Sequence, residues 1–312
     1  MYDKAKFWID RAMVGDGYPA IANYLDEATY IERVGSDEGA IYGNFHGLKV
    51  SLYPNGISVV GSLPKFLHNG SNIVPIDRHG TKEVVEMISD GLHIPMDEAK
   101  VTGLEVGANL LLKHEPCKYL DRFGDTPYKT RIQVAASTIN YRSTGKHRAN
   151  EIAAYDKIQD ANAKSMPIPV GFEGSNVLRF EIKYLRRVSK QFGREVTAST
   201  LCTPEFLREA GTRWHDAYFS ISKNQINPIN MEIKTPKDAF NAFVGHLIAQ
   251  SGENVIDEFM KSLKDNNTFK TREEYKRAHK MITGTIKHGD CMGSDELIKE
   301  LDNEVRNVVA FL

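Results

Sequence analysis

Two short segments decide the fold of this chain: Glu151-Ile-Ala-Ala-Tyr-Asp-Lys157 and Asn176-Val-Leu-Arg-Phe-Glu-Ile-Lys-Tyr184. Both alternate in side-chain character with a period of two, which predicts β-strands. In the second segment one face carries Arg179, Glu181 and Lys183, whereas the other face carries Leu178, Phe180, Ile182 and Tyr184. We therefore predict two strands of a sheet that is buried on one face and charged on the other.

The first segment places a phenol and an ammonium group on one side. The alternation directs Tyr155 and Lys157 one way and Ile152 and Ala154 the other, and the small Ala153 leaves room beside the tyrosine. A tyrosine titrates at about pH 10 and becomes a good nucleophile when a neighbouring group, such as a lysine, stabilises its phenolate. Near a strand with the pattern Arg-x-Glu-x-Lys, this pair predicts a site for phosphodiester chemistry.

Basic charge is concentrated around these two strands. Residues 128–194 contain 13 Lys and Arg against 5 Asp and Glu, a local balance of +8, whereas the whole chain has a formal net charge of −1. Residues 1–100 contain 9 basic and 14 acidic residues, a balance of −5. This asymmetry is typical of a groove that binds a polyanion, and chance clustering on a solvated surface is the alternative.

Length and composition favour a globular protein. A chain of 312 residues, 41% of them hydrophobic, can form a sizeable core in one large or two ordinary domains. The sequence contains no run of about 18 apolar residues, and its first residues lack the apolar stretch of a secretory signal. We therefore expect a soluble, cytoplasmic protein that does not contact a membrane.

The remaining periodicity predicts a sheet followed by helices. Strands are expected over residues 40–45, 48–53, 57–61, 100–113 and 131–142, with the Asn-Gly pair at 55–56 as a hairpin turn. Helices are expected over residues 4–13, 19–26, 81–92, 116–123, 158–164, 204–219, 237–250, 254–264, 271–284 and 294–311. This order predicts an α+β fold, with a mainly antiparallel sheet flanked by helices in a domain over residues 1–197 and a mainly helical domain or lobe over residues 198–312.

The strand predicted over residues 100–113 supplies candidate metal ligands. One of its faces carries Glu105 and Asn109 between two glycines, a poor packing surface that suits the close approach of an ion. Because Mg²⁺ and Mn²⁺ prefer oxygen ligands, we expect these two residues and Glu181 to form a metal site. Surface ion pairs are the alternative for each carboxylate.

Five blocks of the sequence together resemble a known family. In chain order they are Gly61-Ser-Leu-Pro-Lys-Phe-Leu67, Gly103-Leu-Glu-Val-Gly-Ala-Asn109, Thr138-Ile-Asn-Tyr-Arg-Ser-Thr-Gly-Lys146, Glu151–Lys157 and Leu178-Arg-Phe-Glu-Ile-Lys183. In order and spacing, the last three resemble the catalytic core of rolling-circle replication initiators of the filamentous-phage gene II/X type and the related Rep_trans plasmid initiators. The first two look like the earlier blocks of the phage members of that group.

The resemblance implies a site-specific DNA nickase built on a HUH-like or Rep-like sheet. Tyr155 of the Tyr-x-Lys block is the expected nucleophile, with Lys157 beside it; it would form a 5′-phosphotyrosine link and leave a free 3′-OH for a polymerase. Glu105 and Glu181 are the expected ligands of Mg²⁺ or Mn²⁺. The implied partners are DNA at a replication origin, single-stranded or melted, and a host helicase and polymerase, and a homodimer is compatible with the family. The His-hydrophobic-His pair of the broader HUH nucleases is absent, since no two of the ten histidines are two residues apart.

A basic surface on both sides of the tyrosine is predicted to follow the DNA backbone. It consists of Lys146, His147, Arg148, Arg179, Lys183, Arg186, Arg187 and Lys190. Because Arg186 and Arg187 are adjacent in a strand pattern, both cannot point into one core.

Two other functions stay open: a mobilisation relaxase that nicks a transfer origin by the same tyrosine chemistry, and a non-catalytic DNA-binding repressor in which Tyr155 packs or stacks on a base.

Overall fold

The computed structural model describes residues 1–32, 39–143, 148–223, 234–251, 255–289 and 296–312. Within them one antiparallel sheet contains ten strands: β1 Tyr2–Asp10, β2 Asp26–Glu32, β3 Gly39–Phe45, β4 Leu48–Tyr53, β5 Gly56–Ser62, β6 Lys100–Leu112, β7 Thr130–Ala135, β8 Thr138–Arg142, β9 Asn150–Asp156 and β10 Asn176–Tyr184. Across the sheet the order is β2-β3-β4-β5-β1-β6-β10-β9-β8-β7. The strands β1, β6, β10 and β9 are therefore consecutive neighbours in the sheet.

Helices lie between the strands in the sequence and follow the last of them. They are α1 Arg11–Val14, α2 Leu63–Leu67, α3 Arg78–Leu92, α4 Pro116–Leu120, α5 Lys157–Ala163, α6 Val188–Phe192, α7 Ala198–Leu201, α8 Pro204–Phe219, α9 Pro236–Ser251, α10 Val255–Asp265, α11 Arg272–Gly289 and α12 Glu296–Ala310. The predicted α+β class, with a mainly antiparallel sheet and a helical C-terminal region, is confirmed. None of the helices in the described ranges has the length and apolar composition that a membrane span requires.

The apolar face of the central strands is covered by α8. Trp214 of α8 donates its indole N–H to the carbonyl of Phe180 in β10 at 2.8 Å, and the two rings lie 5.7 Å apart. The rings of Tyr2 in β1 and Phe206 in α8 are 6.3 Å apart. Burying one such large side chain contributes about 1.5–3 kcal/mol, so these contacts anchor the helix to the sheet. Because side chains alternate along a strand, the charged residues of β10 lie on the opposite face.

The chain forms two compact units. The first comprises residues 1–222 together with residues 301–312, and the second comprises residues 223–300. Helix α8 belongs to the first unit, where Thr203 caps its N-terminus by accepting a hydrogen bond from the Phe206 N–H, and Pro204 occupies the first turn. The boundary expected at residue 197 thus falls before two helices that are part of the sheet-containing unit.

The helix predicted over residues 4–13 is wrong, whereas the helix predicted over residues 19–26 overlaps a 3-10 helix. Residues 2–10 form β1, which lies between β5 and β6 in the sheet, and residues 15–24 form a 3-10 helix. Ala5, Phe7 and Ile9 are buried while Lys4 and Lys6 are exposed, so most of the strand alternates. The pairing of β1 with β6 is irregular between Tyr2 and Ala5. This irregularity interrupts the period-two alternation at the start of β1, so the alternation does not predict the strand there.

Candidate active site

The register of three strands brings the predicted site residues together. In the β6–β10 pair, Glu105 lies opposite Lys183 and Asn109 lies opposite Arg179. In the β10–β9 pair, Arg179 lies opposite Tyr155. Residues directly opposite each other in a sheet share a face. The phenol, the carboxylate and the cations therefore gather on the face that α8 leaves uncovered.

Glu181 is seated between two very small residues. Gly107 of β6 and Ala153 of β9 lie opposite it on the two neighbouring strands. A Cβ atom added to Gly107 would lie 2.6 Å from the Cβ of Glu181, so any larger residue would displace the carboxylate. The glycine noted in the sequence therefore makes room for an acidic side chain that is only 2% exposed.

Arg179 is the centre of the charged cluster. Its guanidinium donates to Glu181 Oε2 at 2.6 Å, to Asn109 Oδ1 at 3.0 Å and to Asp3 Oδ2 at 2.8 Å. Burial opposes its charge, but Asp3 and Glu181 outweigh burial and raise the pKa of Arg179 further above its usual value. The side chain is thus a permanent cation inside the cluster, and, being buried, it is not part of the exposed basic surface that the sequence predicts.

Asp3 is a carboxylate of the site that sequence reasoning missed, and its partner Asn72 was missed as well. Asp3 is buried, and its carboxylate accepts hydrogen bonds from Arg179, from the Asn72 amide at 2.8 Å and from the Ser62 hydroxyl. It lies near the start of β1, where the pairing with β6 is irregular, and immediately before the helix that the sequence predicts over residues 4–13. A signal was present, because Phe7 and Ile9 follow it in alternation with polar or amphipathic residues.

Lys157 approaches the tyrosine from a helix. The sequence placed it on the same strand as Tyr155, but β9 ends at Asp156, which caps α5, and Lys157 is the first residue of that helix. Its ammonium still lies 6.0 Å from the centre of the Tyr155 ring and donates to Asn72 Oδ1 at 2.7 Å. Burial, and then the charge of Arg179, lower the pKa of Lys157 to about 8. Lys157 therefore remains mainly charged at neutral pH.

The hydroxyl of Tyr155 points at the cluster. It donates to Glu181 Oε2 over 3.4 Å. Burial, and then the negative charge of Glu181, raise the pKa of Tyr155 well above its usual value. In this resting arrangement the phenol keeps its proton, and additional positive charge beside the carboxylates is needed to favour the phenolate.

The two glutamates have opposite electrostatic environments. Burial would raise the pKa of Glu181, but Arg179 and Lys183 outweigh it and lower that pKa to about 2. Lys183 Nζ lies 3.0 Å from Glu181 Oε1. Burial, and then the charge of Glu181, raise the pKa of Glu105 to about 7. The negative charge of Glu105 is therefore not fully compensated by the cations of the cluster.

Three carboxylates of the cluster fit a divalent cation. Asp3, Glu105 and Glu181 each offer one oxygen, and these oxygens all lie within 4.8 Å of one another. Hard cations such as Mg²⁺ take oxygen ligands of this kind. Asn109, which the sequence analysis placed among the ligands, directs its oxygen to Arg179 and donates its amide to the Ile73 carbonyl at 2.6 Å. The third oxygen of this cluster comes from Asp3.

Part of the predicted basic surface is exposed beside the site. Its exposed members among the described residues are Arg148, Arg186, Arg187 and Lys190. Arg186 Nε donates to the Arg148 carbonyl at 2.7 Å, which ties the end of β10 to the segment before β9. Lys146 and His147 lie outside the described residues.

Comparison with known proteins finds remote structural similarity and no match in sequence. No protein-family model matches the chain, and no curated protein matches it. Among solved structures, the chain is similar to a rolling circle replication initiator protein from Geobacillus stearothermophilus, with 11% sequence identity over 76% of this chain and 88% of that one. The TM-score is 0.37, and at this level the likeness carries no argument about function.

Proposed function

We propose that this protein is a metal-dependent tyrosine DNA endonuclease and strand transferase. In this proposal it nicks one strand at a specific site and so initiates rolling-circle replication of a phage or plasmid. The observation that carries the proposal is the Tyr155 hydroxyl, which donates to a carboxylate of a three-carboxylate cluster on the polar face of the sheet. A phenol, a buried cation and metal-type oxygen ligands are groups that metal-assisted phosphodiester transfer to tyrosine can use.

The proposed step exchanges one phosphodiester for another. The Tyr155 oxygen attacks the scissile phosphorus, the bond from phosphorus to the 3′ oxygen breaks, and the 5′ phosphate stays on the tyrosine. The phenol proton leaves to water, because Glu181, with a pKa of about 2, accepts the hydrogen bond but is too weak a base to hold the proton. The 3′ oxygen takes a proton from water to become a free 3′-OH, so protons balance over the step. Because a phosphodiester is retained throughout, the step is reversible and permits strand transfer.

The residues around the tyrosine hold it in place and set its charge. Arg179 fixes Asp3, Asn109 and Glu181 through three charge-assisted or polar hydrogen bonds. Lys157, held by Asn72, presents its ammonium to the face of the Tyr155 ring, where it favours the negative phenolate. A divalent cation at the carboxylates would stabilise the charge that builds on the phosphate.

Formation of a covalent adduct tests the proposal. The protein is incubated with Mn²⁺ or Mg²⁺ and labelled single-stranded oligonucleotides that tile its own replicon, and products are separated on a denaturing gel. We expect a labelled protein–DNA band with the wild type and none with Tyr155→Phe. Tyr184→Phe is the matched control, because it removes a phenol oxygen from the opposite face of the neighbouring strand β10 and should leave the adduct intact.

Three outcomes would contradict parts of the proposal. An adduct that persists in Tyr155→Phe would mean that another residue is the nucleophile; Tyr141, the alternative on β8, is fully buried and donates to the Gly124 carbonyl at 2.8 Å. Cleavage that persists in EDTA would contradict the metal dependence of the reaction. DNA binding without any adduct would favour the alternative function, a non-catalytic DNA-binding repressor. A mobilisation relaxase would form the same adduct, and the transfer origin or replication origin that is cut would distinguish the two.

A further inference from the structure

The helices α10 and α11 form a hairpin with a fixed turn. Thr271 and Glu274 cap α11 reciprocally, with the Thr271 N–H donating to Glu274 at 2.9 Å and the Glu274 N–H donating back to the threonine hydroxyl at 3.4 Å. The Tyr275 hydroxyl accepts from the Phe269 N–H at 3.1 Å and donates to the Leu263 carbonyl at 3.3 Å. These bonds hold both helices and the connecting turn in one arrangement.

A cleft of about 860 Å³ opens beside this turn, and cations line it. Side chains from α10, from the turn and from α11 all contribute to it. Its basic lining residues are Lys261, Lys264, Lys270, Arg272 and Lys276. The two carboxylates of the lining, Asp257 and Asp265, leave an excess of positive charge. All of these residues belong to the unit formed by residues 223–300.

Most of these cations have no carboxylate partner. Lys276 pairs with Glu273 at 2.8 Å. In the described part of the chain, Lys261, Lys264, Lys270 and Arg272 form no ion pair. Exposed cations that share one concave surface repel each other, and the field in such a cleft attracts a multivalent anion. The arrangement therefore predicts an anionic ligand that supplies several charges.

We propose that this cleft binds the phosphodiester backbone of DNA. The choice of DNA as the polyanion rests on the proposed function, because a DNA endonuclease encounters DNA. Lysine is depleted in protein–protein interfaces but abundant in protein–DNA interfaces. The aromatic side chains of the lining, Phe269 and Tyr275, pack on each other at 5.1 Å within the turn, and they present no exposed apolar anchor for a protein partner. Contacts to the phosphates of the DNA backbone carry no sequence information, so the cleft would bind DNA without preference for sequence.

Two matched double variants of the full chain test the inference. The cleft variant is Lys264→Gln with Lys270→Gln, and the control is Arg277→Gln with Lys280→Gln, which removes the same charge from exposed residues of α11 that do not line the cleft. Binding of a labelled 30-nucleotide strand of arbitrary sequence, and of its duplex, is measured by fluorescence anisotropy at several salt concentrations. EDTA is present throughout, so the result does not depend on cleavage.

We expect the cleft variant to bind DNA roughly tenfold more weakly than wild type at low salt. Each lost phosphate contact lowers the slope of log affinity against log salt by about 0.7 on single strands or about 0.9 on duplex. The cleft variant should therefore lose about 1.4 on the strand or about 1.8 on the duplex, and a loss on one form with an unchanged slope on the other identifies the form of DNA that the cleft takes. The control should keep a slope close to that of wild type.

Equal losses in the two variants, or an unchanged slope in the cleft variant, would overturn the inference. Lysine acetylation read by mass spectrometry provides a second measurement, in which DNA should protect Lys264 and Lys270 but not Lys280. Protection of the cleft lysines by a polyglutamate peptide but not by DNA would instead assign the cleft to an acidic protein. Protection by DNA in a protein that never forms an adduct would refute the proposed function while supporting this site.

Discussion

The electrostatic imbalance at Glu105 leads to a prediction about stability. The half-buried carboxyl group of Glu105 has a pKa of about 7 in the folded protein, against 4.5 when it is unperturbed. In the Glu105→Gln variant, an amide of nearly the same shape replaces a group that the fold disfavours when it is charged. We therefore expect the variant to be more stable than the wild type at alkaline pH in the absence of divalent cations.

The sign and the size of the effect follow from proton linkage. A carboxyl group whose pKa is raised on folding binds its proton more tightly in the folded state, so the wild type loses stability as pH rises from 4.5 to about 7. One pKa unit corresponds to about 1.4 kcal/mol, so the full penalty above this range is roughly 3 kcal/mol. Most of it develops between pH 5 and pH 8, where the gap between variant and wild type should widen by about 2 kcal/mol.

Urea unfolding in EDTA at pH 5 and pH 8 measures this gap. Glu83→Gln, which removes an exposed carboxylate from α3, is the control and should follow the wild type. Adding Mg²⁺ or Mn²⁺ should stabilise the wild type more at pH 8 than at pH 5, because a carboxylate ligand must be deprotonated, and should stabilise Glu105→Gln much less. Parallel pH profiles for wild type and Glu105→Gln would refute the electrostatic reasoning, and equal stabilisation by the cation would refute the ligand assignment.

Three further perturbations test other parts of the structure. Asp3→Asn should abolish cation-dependent adduct formation and cost about 3–5 kcal/mol of unfolding free energy, because it leaves a buried guanidinium with one carboxylate fewer; full activity in a gel assay would contradict its role. Replacing Arg186 and Arg187 together with alanine should weaken binding to all single strands alike and lower the salt slope by about 1.4, whereas lost affinity with an unchanged slope would mean that they stabilise the fold. Trp214→Phe should destabilise the protein by about 1–3 kcal/mol, since the carbonyl of β10 loses its buried donor, and a thermal melt indistinguishable from wild type would contradict this.

The centre of the sheet could be predicted from the sequence because its strands obey a strict period of two. The segment Asn176–Tyr184 was predicted with the bounds that β10 has, and β6 differs from its prediction by one residue at its end. Once these strands are paired, the alternation alone places Glu105, Glu181 and Tyr155 on one face. No contact beyond the strand ladder is needed for that conclusion.

The rest of the site depends on contacts that periodicity does not encode. Asp3 enters from a strand whose pattern is interrupted by a pairing irregularity, so neither the strand nor the residue was predicted. The sequence shows that Arg179 is charged, but its burial follows from Asp3, 176 residues away along the chain. Lys157 reaches the tyrosine because Asp156 ends the strand and begins a helix, and the position of the ammonium group follows from the helix geometry.

The insertion of the first strand between β5 and β6 has a consequence for the synthesis of the protein. Asp3 leaves the ribosome long before Arg179, whose guanidinium fixes its carboxylate from 176 residues further along the chain. Contacts between such distant segments form slowly, because closing a long loop costs entropy before the contact repays it. The cluster around Tyr155 is therefore completed only after β10 has been made and paired, and an unfinished chain lacks the arginine that holds the carboxylates together.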